Sequence, residues 1–220
     1  RAWWTSITSP EQMALVGSLE PARHARDVDD AGLDQVAQAF AEIIDAKSPF
    51  TFAHSSNVAM YACAIGERLG FDAATLQQTR RAGLLHDIGK VGVSNRILDK
   101  NGPLADDERA AVQSHPMYTW EILGRVGAFA SFARQASTHH EKLDGSGYPW
   151  KLRGDELDAP ARAMVVADIY EALTAHRPYR AGMPVEQALA ILEKERGAKL
   201  DADAIDALKV AVGERADETL

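Results

Sequence analysis

A histidine–aspartate pair, His86–Asp87, directly follows an apolar run, Ala82–Leu85, and Lys90 comes three residues later. Burying ionisable groups is costly unless they are paired or bound to a metal. An adjacent imidazole and carboxylate suit a divalent metal that accepts nitrogen and oxygen ligands. The pair alone would also fit the exposed end of a surface helix, so the other histidines decide between the two interpretations.

Further histidines and one aspartate fall at predicted helix ends or on apolar helix faces. Neutral imidazoles near pH 7 are good ligands for first-row metals. The candidate ligands number seven, which is too many for one ion and suits two, with the Asp87 carboxylate as the natural bridge. Two metals about 3.5–4 Å apart form a clamp for phosphoester displacement. The candidates are His54, His86, Asp87, His115, His139, His140 and Asp168.

Helical periodicity explains how these residues come to face inwards. His54 begins an apolar stripe that continues through Val58, Tyr61, Ile65 and Leu69 on a helix predicted over 51–69. A second helix, predicted over 73–87, ends in the His-Asp pair.

Asp168 shares a face with Ala161, Met164, Val165 and Ala172 on a helix predicted over 160–175, so we expect it to be buried.

No strand pattern is found, and the sequence predicts an all-α fold. The other helices are predicted over 30–46 (core face Leu33, Val36, Ala37, Phe40, Ile43 and Ile44), 105–114, 115–123, 128–140, 184–196 and 201–213. Glycines and a proline make 142–149 a loop.

Composition narrows the class of protein. The net charge of −8 argues against a partner that is a nucleic-acid polymer. A single cysteine, Cys63, excludes an intrachain disulfide framework and is typical of a reducing, cytoplasmic location. No stretch of this segment is apolar enough to span a membrane. The chain begins with Arg1 rather than Met, so we expect a piece of a longer protein, with residues 1–28 a linker or the tail of a preceding domain and 29–220 the main domain.

These motifs resemble those of a known family. His54, His86–Asp87 and Asp168 resemble the HD phosphohydrolase superfamily, and the string His139–Pro149 (HHEKLDGSGYP) resembles the signature of its HD-GYP subfamily. The segments His86–Lys90, His115-Pro116 and Arg177–Arg180 also match, and the resemblance covers roughly residues 30–215.

The resemblance implies an all-α, HD-type helical bundle around a buried iron or manganese centre with two or three metals. It also implies a bacterial phosphodiesterase that hydrolyses cyclic di-GMP to linear pGpG or to GMP, behind an upstream sensory or receiver domain. The implied ligands are His54, His86, Asp87 and Asp168 for one metal and Asp87, His115, His139 and His140 for the other.

Other positions carry implied roles in substrate binding and catalysis. Lys90 would reach a phosphate oxygen and act with Asp87 in catalysis, and Tyr148, Arg177 and Arg180 would line the dinucleotide pocket. Arginine suits phosphate because its guanidinium offers a two-pronged fork.

Three positions depart from the common pattern of the family. Asn57 stands where arginine is frequent, which puts a nearby salt bridge in doubt. Glu171 stands where aspartate is common, and its longer reach still allows a hydrogen bond. Phe50 stands where members with three metals carry glutamate, so we expect a dinuclear site and pGpG as the main product.

Alternatives of other classes remain open at this point. One is a hydrolase of another cyclic dinucleotide, such as cyclic GMP-AMP. Another is a module without turnover that binds cyclic di-GMP, or that docks a diguanylate cyclase through the Gly147-Tyr148-Pro149 loop. A third is a di-iron oxygenase, against which the basic side chains of Lys90, Arg177 and Arg180 favour a phosphate substrate.

Overall fold

The computed structural model describes residues 27–47, 53–176 and 181–217, together with Leu15 and Ser18. The chain separates into two compact units, residues 1–33 and 34–220. In the first unit, the Asp29 carboxylate accepts the backbone N–H of Gly32 at 2.8 Å, at the start of the helix that begins at Asp30. The division at residue 28 that we predict from the sequence remains a prediction.

The described part of the chain is helical, as predicted. Its β-type pairings are confined to isolated bridges, Asp144 with Arg153 and Arg196 with Leu200. The α-helices are α1 (Asp30–Ala46), α2 (His54–Arg68), α3 (Ala73–Leu85), α4 (Asn95–Leu98), α5 (Asp106–Gln113), α6 (His115–Gly124), α7 (Ala133–Ser137), α8 (Ala159–Thr174), α9 (Val185–Lys194) and α10 (Ala202–Asp217). Short 3₁₀ turns cover Ile88–Gly92, Ala130–Phe132 and Gly154–Glu156.

Helix α2 occupies the centre of the bundle and packs against α3, α8 and α10. Its inner face carries Val58, Ala62 and Ile65, none of which is exposed to solvent. The sequence accounts for the neighbouring boundaries, because Asp72 caps α3 by accepting the N–H of Thr75 at 2.7 Å. Asp158 likewise caps α8 by accepting the N–H of Ala161 at 2.8 Å.

Helices α2 and α3 approach each other unusually closely at Gly83. A Cβ built on Gly83 would lie 2.5 Å from the Cα of Ala59 and 2.9 Å from its Cβ. Only a residue without a side chain fits this contact. The small residues Gly83 and Ala59 therefore bring together α2, which begins at His54, and α3, which ends just before His86.

Three predictions about helices are corrected by the structure. The predicted core face of α1 is partly wrong, because Val36, Phe40 and Ile43 are exposed and Ala37, Ala41 and Ile44 are buried. The buried face of α1 is therefore offset from the predicted apolar stripe towards the alanines. The helix predicted over 73–87 ends at Leu85, before the His-Asp pair, and 128–140 is a 3₁₀ turn followed by the short α7. Within the described residues, no helix is both long and apolar enough to cross a membrane.

Candidate metal centre

A tight turn positions His86 and Asp87 at the end of α3. The Thr119 hydroxyl, on α6, donates to the backbone oxygen of His86 at 2.8 Å and accepts the N–H of Gly89 at 3.0 Å. A Cβ on Gly89 would lie 1.9 Å from the backbone oxygen of His115. The glycine therefore lets α6 lie directly on the His-Asp turn, which brings His115 to Asp87.

Three buried histidines share one local arrangement. The Nδ1–H groups of His86, His115 and His139 donate to the backbone oxygens three residues earlier, at 2.8, 2.7 and 2.7 Å. Carbonyl oxygens only accept, so each neutral ring carries its proton on Nδ1 and points the Nε2 lone pair into the cluster. Such outer hydrogen bonds fix the tautomer and orientation of metal-binding histidines.

His54 is fixed from a different direction. Its Nδ1 atom hydrogen-bonds the buried carboxylate of Glu171 on α8. Asn57 donates to the other oxygen of Glu171 at 3.3 Å. The structure thus has a neutral amide where the family pattern suggests arginine, and it shows that Glu171 is long enough to reach His54. Burial lowers the pKa of His54, but the hydrogen bond to Glu171 and the charges of the nearby carboxylates together outweigh burial, so the pKa is raised.

Asp87 lies between two pairs of imidazoles. Its Oδ2 atom is 3.7 Å from the Nε2 of His54 and 3.5 Å from that of His86. Its Oδ1 atom is 3.2 Å from the Nε2 of His115 and 3.9 Å from that of His139. The two carboxylate oxygens therefore face different pairs, which is the arrangement expected of a bridging ligand.

Asp168 and His140 complete the cluster. The Oδ1 atom of Asp168 is 3.5 Å from the Nε2 of His54, and its Oδ2 atom is 3.8 Å from the Nδ1 of His140. Asp168 is buried, as its helical phase predicts. All seven predicted ligands therefore meet in one cluster, and two groups within it have ligand atoms within 4.8 Å of one another: His54, His86 and Asp87, and His115, His139 and His140.

The donor atoms fit divalent metal ions. The Nε2 atoms of His54 and His86 are 3.2 Å apart, and those of His115 and His139 are 3.1 Å apart. In the neutral rings these atoms are lone pairs that face each other without a proton, and a cation between them would turn this repulsion into attraction. Two such pairs around one carboxylate suit two ions.

Burial keeps most of the donors in the form that binds metal. Desolvation lowers the pKa values of His86 and His139, and it lowers that of His140 to about 4. Burial alone would raise the pKa of Asp87, but the ammonium of Lys90 and the nearby imidazoles hold it well below its usual range. Neutral imidazoles and an ionised carboxylate are the species that bind metal at neutral pH.

The predicted substrate-binding residues are only partly covered by the described structure. Lys90 donates to the Oδ2 atom of Asp87, and 23% of its side chain is exposed. Tyr148 lies against His140, with ring centroids 4.7 Å apart. Arg177 and Arg180, together with Phe50, lie outside the described residues.

Glu141 has a structural role that the sequence analysis does not predict. It is fully buried, and its carboxylate accepts the backbone N–H groups of Trp150 at 2.8 Å and Leu152 at 3.0 Å. The backbone oxygen of the preceding His140 accepts the N–H of Tyr148 at 3.2 Å. These bonds fold the glycine-rich loop back onto the cluster. The sequence feature that could have indicated this role is the position of Glu141 between the histidine pair and the loop.

The chain is similar in sequence to a known family and to several known proteins. The HD domain family matches residues 38–204. The 3'3'-cGAMP-specific phosphodiesterase 3 of Vibrio cholerae is 48% identical over 203 residues, which are 92% of this chain and 44% of that protein. The cyclic di-GMP phosphodiesterase response regulator RpfG of Xanthomonas campestris is 35% identical over 170 residues, 76% of this chain and 45% of that protein. The chain thus spans less than half the length of these relatives.

Solved structures show the same fold. The structure of a cyclic GMP-AMP-specific phosphodiesterase of V. cholerae, V-cGAP3, has a TM-score of 0.59 at 40% identity and covers 96% of this chain and 48% of that chain. Bd1817 of Bdellovibrio bacteriovorus has a TM-score of 0.63 at 18% identity and covers 84% and 65%. With the His139–Pro149 motif folded against the histidine cluster, the chain belongs to the HD domain family and to its HD-GYP subfamily.

Proposed function

We propose that the chain is a metal-dependent phosphodiesterase that hydrolyses a cyclic dinucleotide. The observation that carries the proposal is the Asp87 carboxylate, whose two oxygens face two separate pairs of imidazoles. The proposed substrate is cyclic di-GMP and the proposed main product is pGpG. A second candidate substrate is 3'3'-cyclic GMP-AMP, which the name of the relative that is 48% identical supports.

The proposed cofactors are two ions of iron or manganese. His54, His86, Asp87 and Asp168 would hold one ion, and Asp87, His115, His139 and His140 the other. Bound there, the metals would act as Lewis acids towards the phosphate and lower the pKa of water. Because Phe50 offers no lone pair where a third metal would need a carboxylate, two metals are proposed rather than three.

Lys90 and the arginines would recognise the phosphates. The Lys90 ammonium contacts Asp87 and remains partly exposed, so it can also meet a phosphoryl oxygen that approaches the cluster. There it would neutralise charge that develops during displacement. Tyr148, which lies against His140, would limit where the substrate can sit. Arg177 and Arg180 are proposed to bind phosphate because of their place in the family motif.

The presence of every predicted ligand in one cluster supports an enzyme over a binding module without turnover. Lys90 beside the cluster supports a phosphate substrate over the oxygen chemistry of a di-iron oxygenase. Docking of a diguanylate cyclase on Gly147-Tyr148-Pro149, an upstream regulatory domain and a cytoplasmic location belong to the same proposal, and they rest on the resemblance.

Anaerobic purification followed by metal analysis and chromatography of cyclic dinucleotides tests the proposal. We expect about two transition metals per chain and slow hydrolysis with Fe(II) or Mn(II). Asp87→Ala should empty most of both sites, whereas the control Asp155→Ala changes an exposed carboxylate and should leave metal content unchanged. Full metal content in Asp87→Ala would contradict the bridging role. Tight dinucleotide binding without turnover under any metal would favour the binding module.

Arg177→Ala and anomalous scattering test the remaining assignments. Arg177→Ala should raise the KM while the metals stay bound, and loss of metal from this variant would show that the residue has another role. Scattering measured at the metal edge counts the ions directly. Three strong peaks, or GMP that appears without a pGpG lag, would refute the dinuclear assignment or the proposed product.

A further inference from the structure

The cluster is most open at His140. Its side chain is 30% exposed, whereas the other predicted ligands have side chains that are at most 10% exposed. Among the described residues, a substrate therefore reaches the cluster past His140. The structure beside this imidazole determines which part of the substrate can be accommodated next to the reacting phosphate.

A pocket of about 410 Å³ begins at His140 and Tyr148. Its size falls within the ~300–1,000 Å³ that is common for small-molecule sites. One wall is the loop from Lys142 to Tyr148, and the opposite wall is the end of α9 with the turn after it. The floor is aliphatic and is formed by Ile169, Ile191, Leu192 and Leu200.

Backbone hydrogen bonds hold the two walls together. The N–H of Leu143 donates to the backbone oxygen of Lys199 at 3.0 Å, which joins the loop to the turn after α9. The N–H groups of Lys199 and Leu200 both donate to the backbone oxygen of Glu195, at 2.9 and 3.0 Å. The pocket is therefore formed by ordered backbone before any ligand binds.

The pocket has a mixed polar edge made by Lys142, Glu195 and Lys199. The Lys199 ammonium lies 3.0 Å from the Glu195 carboxylate. Burial lowers the pKa of Lys142, and the carboxylates of Asp168 and Glu195 act in the opposite direction. An aliphatic lining with one carboxylate and two ammonium groups suits a flat heterocycle that offers both donors and acceptors.

We propose that this pocket binds a guanine base of the cyclic dinucleotide. Glu195 would accept from the N1–H and N2–H groups of the base, and Lys142 and Lys199 would donate to O6 and N7. The inference rests on the proposed function and extends it to base recognition. Both candidate substrates carry at least one guanine, so a single guanine pocket would serve either.

Charge and shape favour guanine over the other groups of the substrate. A phosphate would be repelled by the Glu195 carboxylate and would gain nothing from the aliphatic floor. Adenine offers one donor group on its Watson–Crick edge, whereas guanine offers two adjacent ones that a carboxylate can accept together. Cyclic di-AMP should therefore be a poor substrate.

Nucleoside binding tests the pocket without relying on catalysis. In NMR titrations of the metal-loaded protein, we expect guanosine to bind about tenfold more tightly than adenosine. Glu195→Gln should remove this preference, because an amide cannot accept both donors. Glu193→Gln is the matched control, since Glu193 lies two residues earlier, in the last turn of α9, and pairs with Lys209 instead. The control should retain the preference.

Turnover measured in parallel separates this inference from the proposed function. Glu195→Gln should raise the KM for cyclic di-GMP about tenfold with little change in kcat and with unchanged metal content. Equal binding of guanosine and adenosine by the wild type, with dinucleotide turnover intact, would overturn the guanine pocket alone. Guanosine preference without turnover of any cyclic dinucleotide would instead overturn the proposed function and, with it, the dinucleotide as occupant.

Discussion

Replacing Gly83 with alanine tests whether the metal cluster depends on the close contact between α2 and α3. The new Cβ would lie 2.5 Å from the Cα of Ala59 and 2.9 Å from both its Cβ and its N. Two of these three atoms belong to backbone, so a change of rotamer cannot relieve the contact. The helices must move apart or tilt.

The magnitude follows from two opposing effects. Alanine is favoured over glycine in a helix by about 1 kcal/mol. Overpacking a well-packed core costs about 1–3 kcal/mol and sometimes more, and a clash with backbone belongs at the upper end. We expect a net loss of about 2 kcal/mol in the free energy of unfolding. For a chain of this size the melting temperature should fall by roughly 4–8 °C.

The same displacement should weaken metal binding. The Nε2 atoms of His54 and His86 are 3.2 Å apart, and His54 is the first residue of α2 while His86 directly follows α3. Moving the helices apart separates this pair of donors. We therefore expect Gly83→Ala to bind Mn(II) more weakly than the wild type in an equilibrium titration, even at temperatures where the protein is folded.

Urea unfolding, calorimetry and metal titration measure these effects. Gly124→Ala provides the control, because it also adds a methyl group to a helical glycine but meets no atom within 4 Å. The control should be neutral or slightly stabilising. If Gly83→Ala melts at the wild-type temperature and binds Mn(II) normally, the contact does not hold the cluster together.

Three further changes probe the surroundings of the cluster. Asp45→Ala removes the carboxylate that accepts the N–H and hydroxyl of Ser55 at the start of α2, at 3.1 and 2.7 Å, and urea unfolding should show a loss of about 1 kcal/mol. Glu171→Gln removes the charge that orients His54, and metal titration should show at least about tenfold weaker binding. Burial lowers the pKa of His140 to about 4, so below pH 6.5 the unfolded chain binds more protons at this residue than the native one. In unfolding experiments on the metal-free protein, the free energy of unfolding should decrease as the pH is lowered from 7.5 to 5. A constant free energy of unfolding would contradict this.

Sequence periodicity predicts the burial of the two candidate ligands that lie on long helices. His54 and Asp168 share faces with apolar residues, and both are buried. The same reasoning predicts that Phe40 and Ile43 lie in the core, but in the structure both are exposed. Periodicity identifies an apolar stripe, but it does not show which side of that stripe the rest of the chain covers.

Contacts between distant segments are beyond the reach of such patterns. The separate directions of the two Asp87 oxygens depend on α6, whose approach is set by Gly89 and Thr119. The buried hydrogen bonds of Glu141 depend on how the loop after it returns to the cluster. Local sequence gives the chemical groups, and packing between segments determines which atoms they contact.

Under the proposed function, the charges around the cluster would link substrate affinity to metal supply. Without ions, the cluster holds the carboxylates of Asp87, Asp168 and Glu171, of which Asp87 pairs with the ammonium of Lys90, in a chain whose net charge is −8. A cyclic dinucleotide carries two negative phosphates, so the cluster without metal would repel the proposed substrate, whereas two divalent ions would reverse the local sign and attract it. Because such coupling is reciprocal, the dinucleotide also strengthens the binding of the ions. The proposed turnover would then depend on the available metal as well as on the concentration of the cyclic dinucleotide.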